Sequence, residues 1–236
     1  FAASSLQDTL KDLKTRYEKT HPGVKLILSF GASGQLQTQI AAGAPADLFI
    51  SAAPEYMDKL TTAGLLRAGS RCDLLGNALV LIAPVPDGRL KSLAGLQEKF
   101  VERIALGEPG SVPAGQYAVA SLRTLALHDA LKPKFIFALN VRQVLDLVAR
   151  GEVDAGFVYR SDAMQSSRVR IAATVPDETH PPIVHPAPVI AARPQSAAAG
   201  RHTNLLAGPA RRDPCLRVRA AHAPSPPPHT LPPPPV

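Results

Sequence analysis

Val24-Lys25-Leu26-Ile27-Leu28-Ser29-Phe30-Gly31-Ala32-Ser33-Gly34-Gln35-Leu36 runs from an apolar stretch into a turn of small residues and out into a helix. Val24 to Phe30 reads as a strand and Gly31 to Gly34 as the turn. Leu36 and Ile40 then fall at helical spacing before Gly43 ends the pattern. Small residues leave the backbone N–H groups of such a helix start uncovered, and the peptide dipole points its positive end there. The same unit is thus a fold element and a place where an anion can be held without a charged side chain.

Outward from this stretch the pattern repeats. Upstream, Ala2-Ala3-Ser4-Ser5-Leu6 precedes a helix with Leu6, Leu10, Leu13 and Tyr17 on one face. Ser5 is expected as its N-cap, with Asp8 completing a Ser-x-x-Asp capping box, and His21-Pro22-Gly23 as its stop. Downstream, Asp47 to Ser51 reads as a short buried strand. Pro54 then opens a helix carrying Tyr56, Met57 and Leu60 that Gly64 closes. The β-α-β-α rhythm predicts a parallel sheet covered by helices, with ligands beyond the carboxyl ends of the strands.

A second set of units begins at Leu79 to Ala83. Ile104 to Leu106 is a strand, and Val112-Pro113-Ala114-Gly115 opens a helix with Tyr117, Leu122 and Leu125. Asn140 caps a further helix with Val144, Leu145, Leu147 and Val148, which ends at Gly151. Asp154 to Tyr159 is a strand leading into Ser161 and Asp162. Two α/β units, each offering helix starts at strand ends, imply two lobes facing one another across a cleft.

Composition narrows the function class. A chain of 236 residues that is 45% apolar can bury a sizeable core, as one large domain or two small ones. No apolar run approaches the roughly 20 residues that a bilayer span needs. Phe1-Ala2-Ala3 has the character of a strand end, so a processed or trimmed N-terminus is expected. The net charge is +7, of which the segment from Arg211 contributes +3 through four Arg and one Asp. With no Lys/Arg block and no aromatic RNA-binding motif, a nucleic-acid partner is not expected. Cys72 and Cys215 could form one bridge or stay as two unrelated thiols; neither sits in a metal-binding spacing.

The chain changes character near its end. Arg211 to Val236 is rich in Pro among Arg, His and Ala, which removes backbone donors and fixes φ. Residues 210–236 are therefore expected to be extended and without a core. They read either as a polyproline ligand or as a terminus foreign to the fold.

Seven segments, in order, resemble the motifs of the periplasmic molybdate-binding proteins of bacterial molybdate ABC importers. They are Phe1 to Leu6, Ser29 to Gly34, Gly43 to Ala52, Leu75-Gly76-Asn77, Val112 to Ala118, Asn140-Val141-Arg142 and Val158 to Ala163. The resemblance covers residues 1 to about 209. It implies an α/β two-lobed fold of the type II periplasmic-binding-protein kind, each lobe a mixed, mostly parallel sheet flanked by helices. It places lobe I in residues 1–79 and 187–209 and lobe II in residues 80–186. Hinges fall near Asn77–Val80 and Ile183–Val189, and Pro186 to Ile190 resembles the strand that returns to the first lobe. After it, Gly200-Arg201-His202 departs from the apolar stretch usual in the family.

Carried over position by position, the family's ligand contacts fall on Ser5 and Ser33 in the first lobe and on Ala114, Val141 and Tyr159 in the second. The residue types agree. Ser5 and Ser33 offer a hydroxyl and an N–H, Ala114 and Val141 only an N–H, and Tyr159 a phenol. These are contacts to the oxygens of molybdate or tungstate, with no metal coordination by the protein and no cofactor. Taken singly, each position is an ordinary N-cap, first-turn residue or packed aromatic; only their convergence makes a site. Arg160, after Tyr159, is either an anion-steering charge or a solvated arginine.

The resemblance further implies a monomeric, periplasmic, non-enzymatic binding protein that hands its anion to a membrane permease. The rivals are a receptor for sulfate or another tetrahedral oxyanion, and an oxyanion-sensing regulatory domain. A serine hydrolase is excluded at Gly31-Ala32-Ser33-Gly34, because a nucleophile elbow needs Gly where Gln35 stands. No His-x-x-x-His pair points to a metal.

Overall fold

The computed structural model describes residues 1–187 and Ile190. Ala2–Ala3 (β1) lead through a single 3-10 turn, Ser4–Leu6, into Gln7–Thr20 (α1), and Phe30–Gly31 (β2) leads into Ser33–Ala41 (α2). β1 and β2 pair in parallel, Ala2 opposite Phe30 and Ala3 opposite Gly31. On the other side of β1, Ala3 N donates to Ile50 O at 2.9 Å and Ile50 N to Phe1 O at 3.0 Å. The segment through Ile50 then runs into Pro54–Thr62 (α3), with Pro in its first turn, where a missing N–H costs nothing. Three chain segments thus end side by side, and at each end a turn or helix begins.

Three local expectations are corrected here. Val24 to Phe30 is not a continuous strand, since only Phe30 and Gly31 pair. The backbone of Leu26 is taken by side chains of α1: its N–H donates to Glu18 Oε1 at 2.6 Å and its carbonyl accepts from Lys14 Nζ. Ile27 is left 87% exposed, which a buried strand would not allow. Ser5 is not the N-cap of α1 either. The 3-10 turn delays the α-helix to Gln7, with Leu6 at its N-cap and no side-chain capping bond. Asp8 pairs instead with Arg142. Asp47 to Ser51 joins β1 by a bridge at Ile50 rather than by a full ladder.

Cys72–Gly76 (β3) then carries the chain to Leu79–Pro84 (β4), Ile104–Gly107 (β5) and Pro113–Thr124 (α4). His128–Leu131 (α5), Phe135–Ala138 (β6), Val141–Ala149 (α6), Ala155–Tyr159 (β7), Arg160–Ala163 (α7) and Val169–Thr174 (β8) follow. Five strands form one sheet in the order β6-β5-β7-β4-β8. β5 runs parallel to β6 and β7, whereas β4 is antiparallel to both β7 and β8. The sheet is mixed, with as many antiparallel pairs as parallel ones. The cause is the point of entry: Leu79 lies opposite Tyr159, so β4 starts at the edge where β7 ends and must run the other way.

Val184–Ala187 (β9) returns alongside β3 in antiparallel register, and Asn77 N donates to Ile183 O at 3.4 Å. The outgoing and returning segments therefore cross together. Ser51 N then donates to Pro186 O at 3.1 Å and Ile190 N to Asp47 O at 3.0 Å, tying the returning chain back to the β1 region. β4 and β7 are buried along nearly their whole length, as central strands covered on both faces should be. Two glycines allow the helices to seat: a Cβ on Gly115 would stand 1.9 Å from Gly107 O, and one on Gly156 would stand 2.8 Å from Val148 Cγ2. These contacts set the start of α4 against the end of β5, and α6 against β7. The expectations for the tail 210–236, for Cys215 and for the chain after Ile190 lie outside the described residues.

Candidate anion-binding site

The five positions singled out in the sequence line one cavity. Ser5 comes from the turn after β1, Ser33 from the start of α2, Ala114 from the start of α4, Val141 from the start of α6 and Tyr159 from the end of β7. Ala3, Ser4, Gly31, Ala32, Ala52, Val112 and Pro113 complete the lining, which encloses about 190 Å3 counting its opening to solvent. Among the described residues, no carboxylate, ammonium or guanidinium lines it.

Each donor is left available by the way its element starts. In α4, Pro113 has no N–H, and the amides of Gly115 and Gln116 both donate to Val112 O, at 3.0 and 3.2 Å. Ala114 is then the first-turn amide for which the helix supplies no acceptor. In α6, the Asn140 side chain caps as expected, accepting from Gln143 N at 3.0 Å. The Val141 amide at the head of the helix is not the one it takes.

Ser33 is fully buried, and its Oγ accepts from Ala52 N at 3.0 Å. With one lone pair fixed by that amide, the hydroxyl proton is free to be donated into the cavity. Tyr159 is buried too, and its hydroxyl has no hydrogen-bond partner among the described residues. Burial, reinforced by Tyr117, Asp162 and Tyr56, holds its phenol well above the usual range. The group is therefore a neutral donor at any ordinary pH. The arrangement offers N–H and O–H donors and no charged group among the described lining residues, which suits an ion whose every oxygen accepts.

The cavity is closed by contacts between the two sides. Gly34 N donates to Ser111 O at 3.0 Å. Gln116 Nε2 donates to Glu55 Oε1 and to Tyr56 OH, both at 2.8 Å, joining α4 to α3. Arg142, beside Val141, pairs with Asp8 of α1.

The comparisons with known proteins fit this geometry. The family model described as bacterial extracellular solute-binding protein matches residues 1–214. The chain belongs to that family. Among its relatives, the putative ABC transporter substrate-binding lipoprotein YvgL of Bacillus subtilis is 43% identical over 80% of this chain and 72% of the relative. The molybdate-binding protein ModA of Escherichia coli is 39% identical over 80% of this chain and 76% of its own length. The solved periplasmic molybdate-binding protein of Azotobacter vinelandii superposes with a TM-score of 0.78 at 26% identity, covering 93% of this chain and 95% of that one. The two-lobed type II fold expected from the sequence is thereby established.

Four features of this solute-binding protein were not singled out in the sequence. Ala52 fixes Ser33 through its amide, although it lay within a quoted motif. Gly34 and Ser111 meet across the cleft. Asp162 is buried close to the site, its carboxylate beside the Tyr159 backbone and met by no side chain among the described residues. Its burial pushes the carboxyl up to about 7, against the pull of the Arg142 guanidinium. His185, on β9, is wholly buried next to Ser5 and Tyr159. Arg160 opens α7 with its guanidinium donating to Thr174 Oγ1 at 2.8 Å, and it is not among the cavity-lining residues. Among the described residues, no helix is long and apolar enough to cross a membrane.

Proposed function

We propose that this protein captures molybdate, or its tungstate analogue, as the dianion between its lobes and delivers it to the membrane permease of an ABC importer. It would do so as a periplasmic binding protein without enzymatic activity. The observation that carries the reading is the set of possible donors, Ser5, Ser33, Ala114, Val141 and Tyr159, around one cavity that no charged side chain among the described residues lines. The names of the relatives, molybdate-binding in several cases, support the choice of ion.

The chemistry accounts for the neutrality. A fully deprotonated tetrahedral dianion only accepts hydrogen bonds, so a carboxylate in the lining would repel it. Hydrogen phosphate keeps a proton that would meet no acceptor here, a buried unsatisfied group worth about 1–3 kcal/mol. Sulfate matches in charge and hydrogen-bonding type but is smaller, and donors spaced for longer metal–oxygen bonds cannot all reach it. Neutral dipoles also allow release once the shell opens.

In this reading the anion first meets the donors of one lobe, and the other lobe closes over it and excludes water. Lobe I comprises residues 1–79 and the chain returning from 187, and lobe II residues 80–186. Bending at Asn77–Val80 and Ile183–Ala187 is supported by the pairing of the two crossing segments at Asn77 and Ile183. Calorimetric titration with molybdate, tungstate, sulfate and phosphate in parallel tests the reading. Binding of the first two and not of the others is expected; an equal response to sulfate overturns the choice of ion.

A further inference from the structure

Resting on the reading of the cavity as an oxyanion site, the geometry points to His185 as a positioning residue. As the Nε2–H tautomer it donates to Ser5 Oγ and thereby obliges the Ser5 hydroxyl to donate into the cavity. His185 touches one donor from each side of the site. Its Nε2 lies 3.5 Å from Ser5 Oγ, and its ring packs edge-on against Tyr159 with centroids 5.4 Å apart. The imidazole is completely buried, and its Nδ1 has no hydrogen-bond partner among the described residues. Burial lowers its pKa to about 4, so the ring is neutral and carries one proton.

That proton has two possible places with different consequences. On Nδ1 it would be stranded, and Nε2 would take the only proton of Ser5, leaving a bare lone pair facing the anion. On Nε2 it goes to Ser5 Oγ, and the Ser5 proton remains for the ligand. The resulting relay, imidazole N–H to hydroxyl to anion oxygen, polarises in one direction, and each bond strengthens the next. With one lone pair of Ser5 Oγ taken by Nε2–H and its proton turned to the ligand, an oxyanion that still carries a proton finds one fewer acceptor in the shell. His185 thus adds to the selection of fully deprotonated ions without touching the ligand. It lies on the returning strand β9, so its grip on Ser5 depends on the placement of that crossing segment.

The test reads the tautomer and the coupling. Long-range proton–nitrogen NMR on the full chain, free and with molybdate, identifies the protonated nitrogen of His185, assigned by the signals lost in His185→Gln. Nε2–H is expected in both states. His185→Phe, which keeps a ring but removes the donor, is expected to weaken molybdate binding about tenfold, whereas His185→Gln, with an amide nitrogen near the Nε2 position, stays within about threefold. In a Ser5→Ala background, His185→Phe should cost nothing further. An Nδ1–H tautomer, or an equal loss with and without the Ser5 hydroxyl, overturns the assignment. Failure of the unaltered protein to bind molybdate would overturn the functional reading instead. The tautomer of the ligand-free protein decides the role of His185 in either event.

Discussion

The amide of Gly34 donates to the carbonyl of Ser111 at 3.0 Å, bringing the first turn of α2 against the loop ahead of α4, backbone to backbone across the cleft. Only glycine permits this approach: a Cβ at position 34 would stand 2.9 Å from both Cα and O of Ser111 and 3.0 Å from Tyr56 Cε1. Gly34→Ala should therefore penalise closure by about 1–3 kcal/mol, a loss of affinity of about five- to 150-fold. Lobe opening, as proposed, would carry Ser111 away from position 34, where Ala in a helix is favoured over Gly by about 0.5–1 kcal/mol. Thermal melts should show the ligand-free variant as stable as the parent, while calorimetry shows weakened binding. A fall in both would mean that the crowding against Tyr56, within one lobe, dominates.

Tyr159→Phe should separate stability from binding in the opposite sense. The Tyr159 hydroxyl is buried with no partner among the described residues, a burden of about 1–3 kcal/mol on the closed arrangement until an anion fills it. Removing it should leave the ligand-free melting temperature unchanged or raised. Molybdate affinity should fall by about tenfold or more, since the donor is used only in the complex. A variant that melts lower and binds normally would place the hydroxyl outside the ligand shell.

Ser33→Ala should lose both. Ser33 Oγ is the acceptor for Ala52 N at 3.0 Å within a fully buried setting. The substitution strands that amide in the ligand-free protein at a cost of about 1–3 kcal/mol and removes a ligand donor as well. Denaturant titration without ligand, followed by calorimetry, should show a lower midpoint and weaker binding. An unchanged midpoint would show that Ala52 finds another acceptor.

The positions that line the cavity were legible in the sequence and their supports were not. Ala114, Val141 and Ser33 stand at helix starts that local sequence encodes, by Pro113, by Asn140 and by the small residues of Gly31 to Gly34. Tyr159 became legible only as the end of a strand within a recognised motif. His185 meets Ser5 from 180 residues away, and nothing local to a lone histidine among prolines announces that contact. Strand propensity at Val24 to Leu28 misled because Lys14 and Glu18, on a neighbouring helix, capture the Leu26 backbone. The Ser5 cap failed for a similar reason: the chain leaves β1 through a 3-10 turn, which shifts the start of α1 past it. The direction of β4 follows from entering its sheet at the cleft, a fact of topology that no strand pattern carries.

Two buried groups near the site should give opposing pH dependences that a single substitution separates. Burial raises Asp162 from 3.8 to about 7, with Arg142 opposing the rise and Asp8 adding to it. The folded protein then holds a proton that the unfolded chain releases, so this contribution to stability is full below about 4 and is lost as the pH rises to about 7. Burial lowers His185 from 6.5 to about 4, so its contribution is full above 6.5 and is lost as the pH falls towards 4. Between these limits the two partly cancel in the parent protein. Asp162→Asn removes the first and keeps the size of the side chain. Chemical denaturation of the ligand-free variant should show stability falling steadily from pH 6.5 to 4, where the parent shows a flatter profile. Parallel profiles would mean that the nearby Arg142 charge keeps Asp162 ionised despite its burial.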